Sequence, residues 1–136
     1  MNYSDSNRGK IQNRELASRV NDFSNLRFGN ITPTDLDGFM DFGDKKFVFI
    51  ETKHKDAKLP YGQKLALERL CDAVDKDAVL IVAFHENETG DIDVGNCIVR
   101  EWRYKKRWRT QFKAITVKQA VNKFMRKPII NKGSNE

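Results

Sequence analysis

Phe47-Val48-Phe49-Ile50 is apolar at both parities of a strand and runs directly into Glu51-Thr52-Lys53. Side chains alternate between the two faces of a strand, so a run with no polar parity must be covered on both faces. This predicts a central strand between two layers. Charges at the end of such a strand are costly to bury unless something pairs with them. Glu51 and Lys53 point the same way, and Thr52 points opposite. The plain alternative is a surface ion pair closing a strand. Acid-x-Lys triplets also occur at Asp44-x-Lys46 and Asp56-x-Lys58, but neither ends an apolar run.

The preceding segment, Thr34-Asp35-Leu36-Asp37-Gly38-Phe39-Met40, adds acids at matching parity. As a strand it places Asp35, Asp37 and Asp41 on one face, and a hairpin across Gly43-Asp44 would bring that face beside Glu51. Cleaving a phosphodiester in water calls for a hard cation that activates water and offsets charge on the phosphate, and Mg²⁺ takes oxygen ligands, usually one or two carboxylates plus waters. Asp37 and Glu51 supply such carboxylates. Lys53 would then orient the attacking water or steady the phosphate.

With these residues in place, the chain resembles the PD-(D/E)xK nuclease superfamily, and within it the archaeal-type Holliday junction resolvases and related small viral nucleases. The match runs roughly from Arg8 to Phe84. It includes the basic start Arg8-Gly9-Lys10, a helix through Asn13-Arg14-Glu15-Leu16, the Asp37 strand, Glu51-Thr52-Lys53, and a helix after Pro60-Tyr61-Gly62-Gln63. The resemblance implies that Asp37, Glu51 and the Thr52 carbonyl hold Mg²⁺, with Mn²⁺ able to substitute, and that Lys53 is the catalytic lysine. Asp35 competes with Asp37 for the first carboxylate. An acid on the first helix often completes the family's site. Asn13 is in closest register here and Glu15 is the nearby carboxylate, equally readable as an exposed helix acid beside Arg14 and Arg19. Gln63 resembles a glutamine that some members place after the lysine strand, and otherwise reads as an ordinary first-turn residue. The implied activity is Mg²⁺-dependent endodeoxyribonuclease cleavage of branched or Holliday junction DNA by a homodimer. A single-strand or nicking nuclease of a phage or mobile element needs the same site. A non-catalytic DNA-binding protein on a nuclease scaffold and an RNA-binding accessory protein are further alternatives.

The charge distribution suits a nucleic-acid partner. Of a net charge of +6, residues 98–128 carry +10, eleven Lys and Arg against Glu101, which leaves the remainder at −4. Arg103, Lys105, Lys106, Arg107 and Arg109 interleave with Trp102, Tyr104 and Trp108, and with Arg8 and Lys10 form the candidate DNA surface. Cations neutralise phosphates, and exposed aromatics stack on unpaired bases. The bland reading leaves the charges in solvent and the aromatics in the core. Alternation places Arg100 on the face of Trp102 and Tyr104, with Arg103 opposite, and makes Trp108 the better stacking candidate.

At 136 residues one core is expected, a single domain over 1–136 with tails over 1–8 and 129–136. No stretch is long and apolar enough for a membrane span or a signal peptide, so an intracellular location is expected, in the host cytoplasm if the protein is viral. Cys71 and Cys97 lack metal-ligand spacing and read as buried thiols, and no small-molecule cofactor is indicated. Periodicity predicts a helix over Ile11–Phe23, strands over Leu26–Ile31, Leu36–Phe42 and Phe47–Lys53, and a helix from Pro60 with Leu67, Leu70, Cys71 and Val74 inward. A strand over Val79–Phe84, another over Asn96–Tyr104 and a helix opened by the capping box Thr116-x-x-Gln119 follow. This order describes an α/β fold, a mixed central sheet flanked by helices, as in a restriction-endonuclease-like core.

Overall fold

The computed structural model describes residues 21–129. The expected tails (1–8, and 129–136 beyond Ile129), and with them Arg8, Lys10, Asn13 and Glu15, lie outside the described residues, as does the expected first helix as far as residue 20. Residues 21–23 are not helical. The chain divides into two units between Pro33 and Thr34. In the first, Ser24–Leu26 is a 3-10 turn, and Phe28 and Ile31 bridge each other across Gly29, whose φ is 64°. The strand expected over Leu26–Ile31 is thus a tight turn. Glycine takes this left-handed conformation without steric cost, and Arg27 Nε–H secures the turn by donating to Gly29 O at 3.0 Å.

The second unit has an α/β fold, a mixed five-stranded sheet flanked by two helices. Strands β1 (Gly38–Phe42) and β2 (Lys46–His54) form an antiparallel hairpin. Helix α1 (Tyr61–Ala73) crosses over to β3 (Asp77–His85), which lies parallel to β2. Strands β4 (Ile98–Tyr104) and β5 (Arg107–Thr110) then add in antiparallel fashion, and α2 (Val117–Arg126) follows. Strand order in space is the order in the chain.

β2 is covered on both faces, as its apolar run demands. Val48 and Ile50 join Val79, Ile81, Val99 and the α2 residues Val117, Val121 and Phe124 in one cluster. Phe49 joins Ala78, Leu80 and the α1 residues Leu67 and Cys71 on the other face. Each large aliphatic chain so buried contributes about 1.5–3 kcal/mol relative to exposure. Leu70, expected inward, is 43% exposed, because the helix turns only the Leu67–Cys71 line toward the sheet.

Three local features set side-chain directions that periodicity alone misses. The β4–β5 turn consists of Lys105 and Lys106 with φ of 51° and 61°, a left-handed pair typical of a type I′ hairpin. Such turns usually carry Asn-Gly, so β5 had no sequence signal. A register shift at Val82/Ala83 marks a bulge at Arg100 on β4, and bulges re-aim side chains. Arg100 consequently lies over Phe84, 5.1 Å from guanidinium carbon to ring centroid, on the face of Glu51 rather than that of Trp102 and Tyr104. Third, Lys46 is 5% exposed, and its ammonium donates to the carbonyls of Phe124, Met125 and Lys127. It caps the C-terminus of α2, where the helix dipole favours a cation. The expected capping box at the other end is formed, with Gln119 N–H donating to Thr116 Oγ1 at 3.1 Å and Thr116 N–H to Gln119 Oε1 at 2.8 Å.

Candidate active site

Glu51 sits at the end of the buried part of β2 and is 2% exposed. Its partners come from three segments. Lys53, two residues along the same face, places Nζ 3.6 Å from Glu51 Oε1. Gln63, in the first turn of α1, donates through Nε2 to the same oxygen at 3.1 Å and lies 3.4 Å from Lys53 Nζ through Oε1. The Asp37 backbone N–H donates to Glu51 Oε2 at 3.3 Å. The amide of Gln63 thus holds acid and lysine together, with its orientation set by one acceptor and one donor. Burial raises the Glu51 carboxyl above its ordinary value, and the Asp37 charge raises it further. Lys53, the Asp37 N–H and Gln63 pull the other way.

Asp37 precedes β1, and the register of Gly38 opposite Ile50 brings it beside Glu51. Its Oδ2 accepts from Thr52 N–H at 2.8 Å and Thr52 Oγ1–H at 3.0 Å. A strand residue directs N–H and C=O to the same edge, so the Thr52 carbonyl faces the edge where Asp37 lies. Asp35 reaches the cluster through its backbone, its carbonyl lying 3.4 Å from Gln63 Nε2. Asp41 does not join it. Opposite Phe47, at the turn end of the hairpin, its Oδ1 accepts the Asp44 N–H at 2.7 Å. Four residue steps along the chain separate Asp41 from Asp37 by about 13 Å.

The donor set fits a hard cation. Asp37 and Glu51 are two carboxylates of adjacent strand ends, the Thr52 carbonyl is near, and Oδ1 of Asp37 accepts no hydrogen bond among the described residues. A positive charge here would relieve the burial and like-charge effects that raise Glu51. Among the described residues no group of three or more His, Cys, Asp or Glu converges to hold a metal, so water would fill the remaining positions, as Mg²⁺ prefers.

The sheet register adds neighbours that the sequence did not reveal. Glu51, Val82 and Glu101 stand in one row across β2, β3 and β4, which places Glu101 about 10 Å from Glu51. Glu101 pairs with Lys64 of α1 at 3.0 Å. In the neighbouring row Lys53 lies beside Phe84, beneath Arg100, whose guanidinium donates to the carbonyls of Lys55 and Ala57. Arg100 thereby pins the loop that leaves the lysine strand. Tyr61, 81% exposed, opens α1 two residues before Gln63. Arg100 could have been found only by foreseeing a bulge, which leaves no pattern in composition.

The basic segment is arranged differently from the expectation. Arg103 is buried beneath α1, bonded to Asp72 at 2.9 and 2.6 Å and paired with Glu68 at 3.3 Å. Trp108 is half-buried beside it, its Nε1–H donating to Glu68 Oε1 at 2.7 Å, with Lys64 Nζ 4.5 Å from its ring centroid. Both hold α1 to the sheet rather than presenting a free surface, because α1 carries the acids Glu68 and Asp72 above their strand positions. Lys105, Lys106, Arg107 and Arg109 are exposed. The hairpin tip lies at the far end of the sheet from Glu51, about 13 Å along β4 from the Glu101 row. Besides Lys53, the cations on this end of the face are Lys64, paired with Glu101, and Arg100, over Phe84, rather than those of the tip. No helix among the described residues is long and apolar enough to cross a membrane. No family model, curated protein or solved structure matches the chain.

Proposed function

We propose that the chain is a Mg²⁺-dependent endodeoxyribonuclease acting on branched DNA, as the PD-(D/E)xK resemblance implies. The observation that carries this reading is the convergence of Asp37, Glu51, Lys53 and Gln63 at one strand end, with Glu51 buried and its carboxyl raised. Burying an acid beside another acid is costly, and a site of this kind is a common functional solution. Asp37 and Glu51, with the Thr52 carbonyl, would hold the cation. When bound, it would supply an activated water and offset charge on the phosphate. Gln63 fixes the rotamers of Glu51 and Lys53, so the ammonium stands ready beside the carboxylate to orient water or meet a phosphate oxygen. Arg100 adds a positive charge on the same sheet face as the acids, which otherwise repel the DNA backbone. Symmetric resolution of a four-way junction needs two copies related by a twofold axis, so a homodimer belongs to this reading.

Labelled single strand, linear duplex, nicked duplex, four-way junction and RNA, each incubated with Mg²⁺ or EDTA, test it. Cleavage of junction DNA in Mg²⁺, absent in EDTA and lost in Glu51→Gln and Lys53→Ala while binding persists, is expected. Metal-dependent cleavage surviving both substitutions would overturn the site, and binding without cleavage of any substrate would favour a non-catalytic scaffold.

A further inference from the structure

The sheet face opposite Glu51 bears a concavity. A cavity of about 160 Å³ lies between the sheet and α2, floored by Val79 and Ile81 and walled by the rings of Trp102 and Tyr104. An apolar cavity of roughly 150 Å³ is large enough to hold one benzene ring. The tyrosine wall is held in place: its hydroxyl donates to Asp77 Oδ1 at 2.7 Å and its ring meets Phe124 edge-on at 5.9 Å.

Cations surround the mouth. Lys127 Nζ lies 5.2 Å from the Tyr104 centroid and 5.9 Å from that of Trp102, and the Arg109 guanidinium lies 5.6 Å from Trp102. Lys123 and the Gln111 amide also line the cavity. This rim repels a cationic guest and attracts an anionic one, while the interior accepts a flat, weakly polar ring. A ring joined to an anion is the chemistry of a nucleotide.

We propose that this pocket seats one unpaired base of a DNA strand, with the adjoining phosphates on Lys123, Lys127 and Arg109. The choice of DNA as the polymer rests on the nuclease reading. Bases in a duplex are stacked and paired, so only an unpaired strand can offer a ring at low cost, as a branch point does. Trp102 and Tyr104, over whose rings Arg109 and Lys127 lie, supply a sequence-tolerant stacking surface once those cations turn to the phosphates. The pocket makes the protein a reader of single-stranded character on the face away from its acids.

Fluorescence anisotropy in EDTA, where no cutting occurs, tests this with a labelled single strand, the same strand abasic throughout, and a duplex. The wild-type protein should bind the base-bearing strand about tenfold more tightly than the abasic one. Ala120→Leu, which fills the cavity from α2, should erase that preference and leave abasic binding unchanged. Lys123→Ala with Lys127→Ala should weaken both strands and flatten the salt dependence. Circular dichroism reports whether each variant folds, and the abasic comparison requires no variant. Equal binding of natural and abasic strands by wild type, or an undiminished preference in folded Ala120→Leu, overturns the proposal. Parallel assays in Mg²⁺ separate the two readings: cleavage without base preference sinks the pocket alone, and base preference without cleavage sinks the nuclease alone.

Discussion

Asp37 and Glu51 are joined through the backbone, the Asp37 N–H donating to Glu51 Oε2 at 3.3 Å, while the Asp37 side chain turns to Thr52 N–H at 2.8 Å. The two acids therefore stand at adjoining strand ends without either neutralising the other. Glu51 takes most of its support from donors, and its charge is still disfavoured because burial outweighs them.

That balance has a pH signature. A carboxyl raised in the folded state binds more protons folded than unfolded, so its contribution to stability is greatest below the ordinary value of 4.5 and falls as pH rises through the raised value. Urea midpoints of wild type minus Glu51→Gln should decline across this window and flatten above it. A difference that rises with pH would contradict the burial of a charged Glu51.

Cation binding should stabilise the fold by mass action. Adding Mg²⁺ or Mn²⁺ is expected to raise the melting temperature of the wild type, EDTA should reverse the gain, and Asp37→Asn and Glu51→Gln should show little or none. The readout is independent of cutting. Equal shifts in all three proteins would place the cation elsewhere.

Lys46→Met should destabilise without touching catalysis. Its ammonium satisfies carbonyls at the C-terminus of α2, and leaving them buried without a donor costs about 1–3 kcal/mol. Chemical denaturation measures the loss, and cleavage by the folded variant should be unchanged.

Arg103→Leu and Lys105→Asn with Lys106→Gly should act in opposite senses. Removing Arg103 leaves half-buried Asp72 without its bidentate donor and Glu68 with the Trp108 N–H in its place, at a cost of about 1–3 kcal/mol. Asn-Gly in the hairpin relieves two left-handed lysines and should stabilise by about 1–3 kcal/mol. If the tip meets phosphates, the same pair should also reduce the salt slope of DNA binding, by roughly one for each phosphate that the tip no longer neutralises. A slope unchanged by the hairpin variant would remove the tip from the DNA surface.

The chain itself determined that β2 is covered on both faces, that Glu51 and Lys53 share a direction, and that a capped helix follows Thr116. These follow from parity and from local hydrogen bonding, which act between near neighbours in sequence. Tertiary structure alone decided which acids meet. Asp37 reaches Glu51 and Asp41 does not, because strand register rather than parity sets position along a sheet. It also decided where the cations go: Arg103 lies under the acids of α1, while the bulge carries Arg100 to the other face of the sheet from the one parity assigned it. Register, bulges and helix docking depend on residues far apart in the chain meeting in space. The pattern within each segment is blind to them.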